Sequence, residues 1–406
     1  MSRLTKIAVV SLSVLVFSYV GIGYVLGKTD DDKSYQSLSV YGEVLQHIQE
    51  DYVDEPNLPV VTVGALRGLL DSLDPYSGYL SPREYTDYKD KQKNDPHSDV
   101  GATLSKRFGY IVVVSVLPDG PAEKAGLRSG DILEAVAGFA TRDMSVGQAD
   151  SLLQGAPNSA VKVDVVRRGS TEPQPMELTR GISPAQHLTA DKVADDIGYV
   201  RVPALETGAA AELHDKLVRL QQMGLHKLVL DLRDCATGPT SEGVNAAQLF
   251  VSSGTLSVLR GQTVSKQEFD AQADKVVWKG PVEVLISDST AGAAEILAAA
   301  LGDNHRAELV GGRTFGAASQ QKLIELGDGS AIVITVAFYY TPGGKAILED
   351  GVAATVPVAP AASDSEDQEA PAPLRLNQLP SSDDRVMRKA LDLLTGAAQP
   401  PARKAA

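Results

Sequence analysis

The chain has 406 residues, enough for two or three domains, and its 43% hydrophobic content supports packed cores. A formal net charge of −14 argues against a nucleic-acid partner, because binding a phosphate backbone needs a basic surface. The lone Cys235 rules out an internal disulfide, and the six histidines show no metal-ligand spacing, so no metal and no cofactor is assigned.

Ile7 to Leu26 is a run of about twenty mostly apolar residues, long enough to span a bilayer as a helix. Arg3 and Lys6 precede it and Asp30, Asp31 and Asp32 follow it, so the positive end stays cytoplasmic and the body lies outside. No small-x-small cleavage site ends the run. The expectation is a signal anchor over residues 1–28 and a single-pass inner-membrane protein with its body in the periplasm or another extracytoplasmic space; a cleaved signal peptide is the alternative. Gly23 and Gly27 form a Gly-x-x-x-Gly pair of the kind that aids helix pairing.

Residues 29–95 read as a helical region. Leu38, Tyr41, Leu45 and Ile48 recur at helical spacing over 35–52, and a second helix is expected from 60 to 72. Leu73-Asp-Pro-Tyr-Ser-Gly-Tyr-Leu-Ser-Pro82 follows, with Pro75 and Pro82 fixing turns. Residues 96–180 are strand-rich. Residues 110–116 and the alternating 161–167 read as strands, with a turn and short helix at 119–126 between them. From 181 to 358 strands and helices alternate: strands at 197–202, 227–232 and 282–287, helices at 208–223, 241–252 and 291–302. That alternation argues for an α/β core. Residues 359–380 are rich in Pro, Ala, Ser, Asp and Glu and read as a disordered acidic linker. Helical periodicity returns with Val386, Ala390, Leu391 and Leu394 in the final segment, 381–406.

The run Pro121-Ala-Glu-Lys-Ala-Gly-Leu-Arg-Ser-Gly-Asp-Ile132 resembles a PDZ domain. Such domains add an extended peptide to a sheet edge and capture its terminal carboxylate in a loop of backbone N–H groups. By this resemblance the peptide-binding residues are Val100, Gly101, Ala102, Thr103 and Leu104. Asp99 stands where a glycine is usual, and its charge opposes a ligand carboxylate. A PDZ fold kept only for packing or regulation is the other reading.

Two later segments, Val282-Glu-Val-Leu-Ile-Ser-Asp-Ser-Thr-Ala-Gly-Ala-Ala-Glu-Ile-Leu297 and Leu309-Val-Gly-Gly-Arg-Thr-Phe-Gly-Ala-Ala-Ser-Gln-Gln321, resemble the active-site motifs of the carboxy-terminal processing, or tail-specific, serine proteases. The resemblance covers residues 35–358. It implies a mixed-sheet α/β core with an inserted PDZ domain and N-terminal helices. Aligned on Glu295-Ile296, the family's serine nucleophile falls on Gly292; aligned on Thr314-Phe315-Gly316, its lysine base falls on Ala317, while the family glutamine is kept as Gln321. The loop that helps form the oxyanion site becomes Asp234-Cys-Ala-Thr-Gly238, leaving Thr237 and Gly238 in that region.

A serine hydroxyl needs a base, and a lysine serves only when burial lowers its pKa. With neither side chain present, the expectation is a pseudoprotease that binds peptide or protein C-termini without cutting them. Three alternatives stand beside it. Ser289 or Ser319 could act as a displaced nucleophile, although Lys322, five residues after Ala317, would point to the opposite face of an extended strand. Cys235 could be a nucleophile, although no histidine lies close to it in sequence. The chain could also be a structural subunit of an active relative, or a homo-oligomer.

Overall fold

A computed structural model describes residues 31–93, 98–142, 144–167, 169–359 and 383–396. The chain divides at Ala65 and Leu66 into two compact units. In the first lie helix α1 (Asp31–Asp51) and the start of helix α2 (Leu58–Asp71). α1 leaves Leu38, Tyr41 and Leu45 exposed.

The expected inner-membrane location is corrected here. Among the described residues no helix is long and apolar enough to cross a membrane. The longest, α1, has 21 residues but carries Asp31, Asp32, Lys33, Glu43, Glu50 and Asp51, whose charges are costly in hydrocarbon. The run 7–26, on which the expectation rested, lies outside the described residues, as does the linker from 360 onward.

The second unit holds three sheets. Strands β1 (Gly78–Leu80), β2 (Ala102–Arg107), β3 (Tyr110–Val116), β4 (Ile132–Val136), β5 (Phe139–Ala140), β6 (Ala160–Val166) and β7 (Gln174–Thr179) come first in the chain, with helices α3 (Pro82–Lys93), α4 (Pro121–Ala125) and α5 (Val146–Leu153) between them. β2-β3-β4-β6-β7 form one antiparallel sheet, with β5 beside β4. Its inward residues Leu104, Ile111, Val113, Leu133, Val161 and Val163 enclose a core with Val146, Ala149 and Leu153 of α5. Helix α5 starts where the sequence dictates: Ser145 accepts from the Gln148 amide, and the Gln148 side chain accepts from the Ser145 amide.

The central sheet follows, built from β8 (Thr189–Ala194), β9 (Ile197–Arg201), β10 (Lys227–Asp231), β13 (Val282–Ile286), β14 (Glu308–Gly311) and β17 (Val356–Pro357) in the order β17-β14-β13-β10-β9-β8. All pairs are parallel except β8 with β9. Crossover helices α6 (Ala209–Gln222), α7 (Thr240–Gln248) and α8 (Ala293–Asp303) pack their leucines and alanines into one core with Leu228, Leu230, Val284 and Ile286. The alternate strand residues Tyr199, Val229, Leu285 and Val310 face helix α9 (Arg385–Thr395), which buries Met387, Ala390 and Leu394 against them. β9, β10 and β13 are covered on both sides, so they are mostly apolar rather than alternating, apart from the buried Arg201 and Glu283.

α7 and α8 approach so closely that a Cβ on Gly243 would lie 2.1 Å from the Ala293 carbonyl oxygen. α7 ends at Gln248, earlier than residue 252, because the Leu249 carbonyl accepts hydrogen bonds from Val277 and Trp278. The third sheet was not legible beforehand. Strands β11 (Thr255–Arg260), β12 (Gln267–Asp270), β15 (Ser319–Glu325) and β16 (Ala331–Tyr340) join β1, and β16 pairs with β1, β11 and β15.

Candidate functional site

The two segments singled out from the sequence meet at the N-terminus of α8. Strand β13 ends at Ile286, and the chain turns through Ser287–Ala291, pinned by the Thr290 hydroxyl, which donates to the Leu232 carbonyl (2.9 Å) and accepts from the Ser287 amide (3.0 Å). Gly292 then caps α8 at φ 60°, ψ −117°, a conformation open to glycine and strained for other residues. A Cβ built on Gly292 meets nothing within 4 Å, so a side chain there would project into open space.

Glu295 holds the second segment against the first. Its carboxylate is fully buried, and Oε2 accepts the amides of Gly292 (2.9 Å) and Ala317 (2.7 Å). Oε1 accepts the Gly316 amide (2.6 Å) and the Thr314 hydroxyl (2.5 Å). Burial raises the proton affinity of Glu295 above the ordinary carboxylate range, and the four donors only partly offset it. The loop is fixed from behind as well, since Gly316 and Glu349 are bonded backbone to backbone (3.0 Å) and a Cβ on Gly316 would press within 2.8 Å of Glu349.

Gly292 and Ala317 thus share one carboxylate oxygen but contribute no polar side chain. Around them Ala291, Phe315 and Val114 form a small apolar cluster with Ala236 and Ala317 packed on it. Val114 comes from β3, so the antiparallel sheet reaches into this site. Arg107 of β2 donates to the Phe315 carbonyl and stacks 4.0 Å from the Phe315 ring centre. Thr103 of β2 meets Thr237, hydroxyl to hydroxyl, at 3.2 Å.

The loop bearing Thr237 and Gly238 is tightly packed. The Thr237 carbonyl accepts the Leu205 amide (2.8 Å), and Gly238, at φ 119°, leaves no room for a Cβ, which would lie 1.8 Å from the Leu205 oxygen. Gln321 lies farther out, donating to the Ser319 hydroxyl (2.8 Å), which in turn donates to the Ala317 carbonyl (3.1 Å). Neither Ser289 nor Ser319 is hydrogen-bonded to a base among the described residues. Cys235 is buried and unpaired, and burial pushes its thiol up to about 12, so it carries no thiolate at neutral pH.

Of the residues placed by resemblance in the peptide loop, Val100 and Leu104 belong to the core of the antiparallel sheet. Gly101 adopts φ 71°, and its amide is taken by Asp99 Oδ1 at 2.9 Å. Sequence reasoning used Glu295 only as an alignment anchor. The signal for its role was present, since a glutamate three residues into a helix reaches back to the capping amide. Arg107 and Val114 had no such signal, because only the fold brings them to the site.

An α/β core with a parallel sheet, an antiparallel domain laid against it and a strand-to-helix turn at the junction defines a protein of the S41 peptidase class. The model of peptidase family S41 matches residues 196–358, and a PDZ-domain model matches residues 112–167. The chloroplastic C-terminal processing peptidase of Tetradesmus obliquus is 31% identical over 81% of this chain and 75% of its own length. A carboxyl-terminal-processing protease of Synechocystis is 31% identical over 86% of this chain and 81% of its own. Among solved structures, a photosystem II D1 C-terminal processing protease superposes with a TM-score of 0.67 at 28% identity, over 79% of this chain and 92% of that one. The chain belongs to the carboxy-terminal processing protease family.

Proposed function

We propose that this chain is a member of its family that binds peptide segments, protein tails among them, and does not hydrolyse them. The observation that carries the reading is the shared Oε2 of Glu295. It aligns the backbone of Gly292 and Ala317 at the positions the family motifs give to nucleophile and base, yet neither residue supplies a reactive group. Ala291, Ala236, Phe315 and Val114 surround the two positions with apolar side chains. Loss of a serine nucleophile alone costs on the order of a millionfold in turnover.

The test is degradation of an unfolded model protein by the full chain and by Gly292→Ser/Ala317→Lys. The expected result is no hydrolysis by the parent and measurable hydrolysis by the double variant: the space beside Gly292 is open, and the backbone strain of a serine at φ 60° is of the kind that active-site turns sustain. Hydrolysis by the parent, with labelling of Ser289 or Ser319 by a fluorophosphonate, overturns the reading and assigns a displaced nucleophile.

A further inference from the structure

Strands β2 and β3 are joined by a two-residue turn, Phe108 and Gly109, at φ 51° and φ 82°. Turns of this kind favour Asn-Gly or Asp-Gly, because a bulky residue is strained at positive φ. Phe108 is also 98% exposed, so the fold gains no burial from its ring. A large aromatic side chain stands in water on a backbone that disfavours it.

The ring borders an open cleft of about 520 Å³, lined also by Asp71, Leu73, Asp74, Arg142 and Glu349. That volume is ordinary for a ligand site. Leu73 is 56% exposed, the second apolar side chain on the cleft. The charges at its base are already matched. Asp71 pairs with Lys106 at 2.8 Å, and Asp74 accepts the amides of Tyr76 and Ser77 and the hydroxyls of Ser77 and Thr335. Arg142 and Glu349, both exposed, add one charge of each sign. What the cleft leaves uncovered is therefore apolar surface rather than a net charge.

The cleft continues into the candidate site. Arg107, next to Phe108, donates to the Phe315 carbonyl, and Glu349 is bonded to the Gly316 backbone. Phe315 and Gly316 lead directly to Ala317. Glu349 itself sits at φ 67°, so backbone strain falls on two residues lining one cleft, as it does at ligand clamps.

We propose that this cleft seats a large apolar side chain of a bound peptide against Phe108 and Leu73, with the peptide running on past Phe315 to Ala317. The inference rests on the peptide-binding reading above and narrows its ligand to segments carrying an aromatic or large aliphatic residue.

Short labelled peptides of Gly and Ser with a single central Phe, Leu, Ala, Lys or Glu are titrated against the full chain and read by fluorescence anisotropy, beside a labelled unfolded model protein. The Phe and Leu peptides should bind about tenfold tighter than the other three. Phe108→Asn places in the turn a residue its type favours, so this variant should melt at or above the parent's temperature. It should bind the Phe peptide about tenfold more weakly, while Phe108→Tyr keeps most of the affinity. If the unfolded protein binds but no peptide is preferred, or if Phe108→Asn binds the Phe peptide as tightly as the parent, the inference is overturned and peptide binding stands. A changed oligomeric state of Phe108→Asn in light scattering, with peptide affinity unchanged, assigns Phe108 to a contact between copies and overturns it as well. Binding of neither the peptides nor the unfolded protein overturns the peptide-binding reading and this inference with it.

Discussion

Glu295→Gln tests whether one buried carboxylate holds the two halves of the candidate site together. Each of its oxygens accepts two donors: Gly292 and Ala317 on Oε2, Gly316 and Thr314 on Oε1. Glutamine keeps a single acceptor oxygen and turns an NH2 towards two of those donors. Each buried donor left unsatisfied costs about 1–3 kcal/mol, and the two remaining bonds lose their charge assistance. Easier burial of a neutral amide offsets part of this, so the net loss should be about 4 kcal/mol, a large share of a typical domain's stability. Urea unfolding measures the loss. Hydrogen exchange at the Gly292, Gly316 and Ala317 amides locates it. A loss under about 1 kcal/mol with those amides still protected would refute the reasoning and mean that the loop is held without Glu295, by Glu349 on Gly316 and by Val352, whose carbonyl accepts the Thr314 amide (3.0 Å) and whose amide donates to the Thr314 hydroxyl (2.7 Å).

Asp384→Ala removes both the cap of α9 and the 2.7 Å partner of Arg233, and should cost about 2–4 kcal/mol. Faster tryptic cleavage at Arg385, Arg388 and Lys389 would report the freed helix. Glu283 is 9% exposed, its Oε2 has no hydrogen-bond partner among the described residues, and burial and then the charge of Glu308 push it up to about 7 from 4.5. The folded state therefore holds this proton to higher pH than the unfolded state, and stability falls as pH rises from 4.5 towards 7. Glu283→Gln should be more stable than the parent at pH 8 by about 3 kcal/mol and equal to it near pH 4, read from unfolding curves at the two pH values. Cys235 should resist a disulfide-exchange reagent in the native protein and react once urea unfolds it, because it is fully buried.

The α/β alternation and the helices at 208–223 and 291–302 were legible because their strands and faces follow simple hydrophobic periods. The strands and turns of the antiparallel domain were legible from Pro121–Ile132 and the alternation of 161–167. β15 carries no strand signal because it is largely exposed and has no apolar alternation facing a core, and its partner β16 has a nearly continuous apolar run whose place in a separate sheet with β1, β11 and β15 only the fold sets. The membrane-spanning expectation drew on a segment outside the described residues, and the helices that are described are too short or, like α1, too charged to cross a membrane.

The sequence by itself determined the local choices: the caps of α5 and α9, the glycine at the Gly292 turn, and the absence of a hydroxyl and an amine at residues 292 and 317. These depend on residues a few positions apart. The tertiary structure alone decided that Gly292 and Ala317 share one oxygen of Glu295. It also decided that Val114 and Arg107 close on Phe315 and that Thr103 of β2 meets Thr237 of the neighbouring loop. Such contacts join residues far apart in the chain, and their pairing is set by how sheets and helices bury apolar surface rather than by any local pattern.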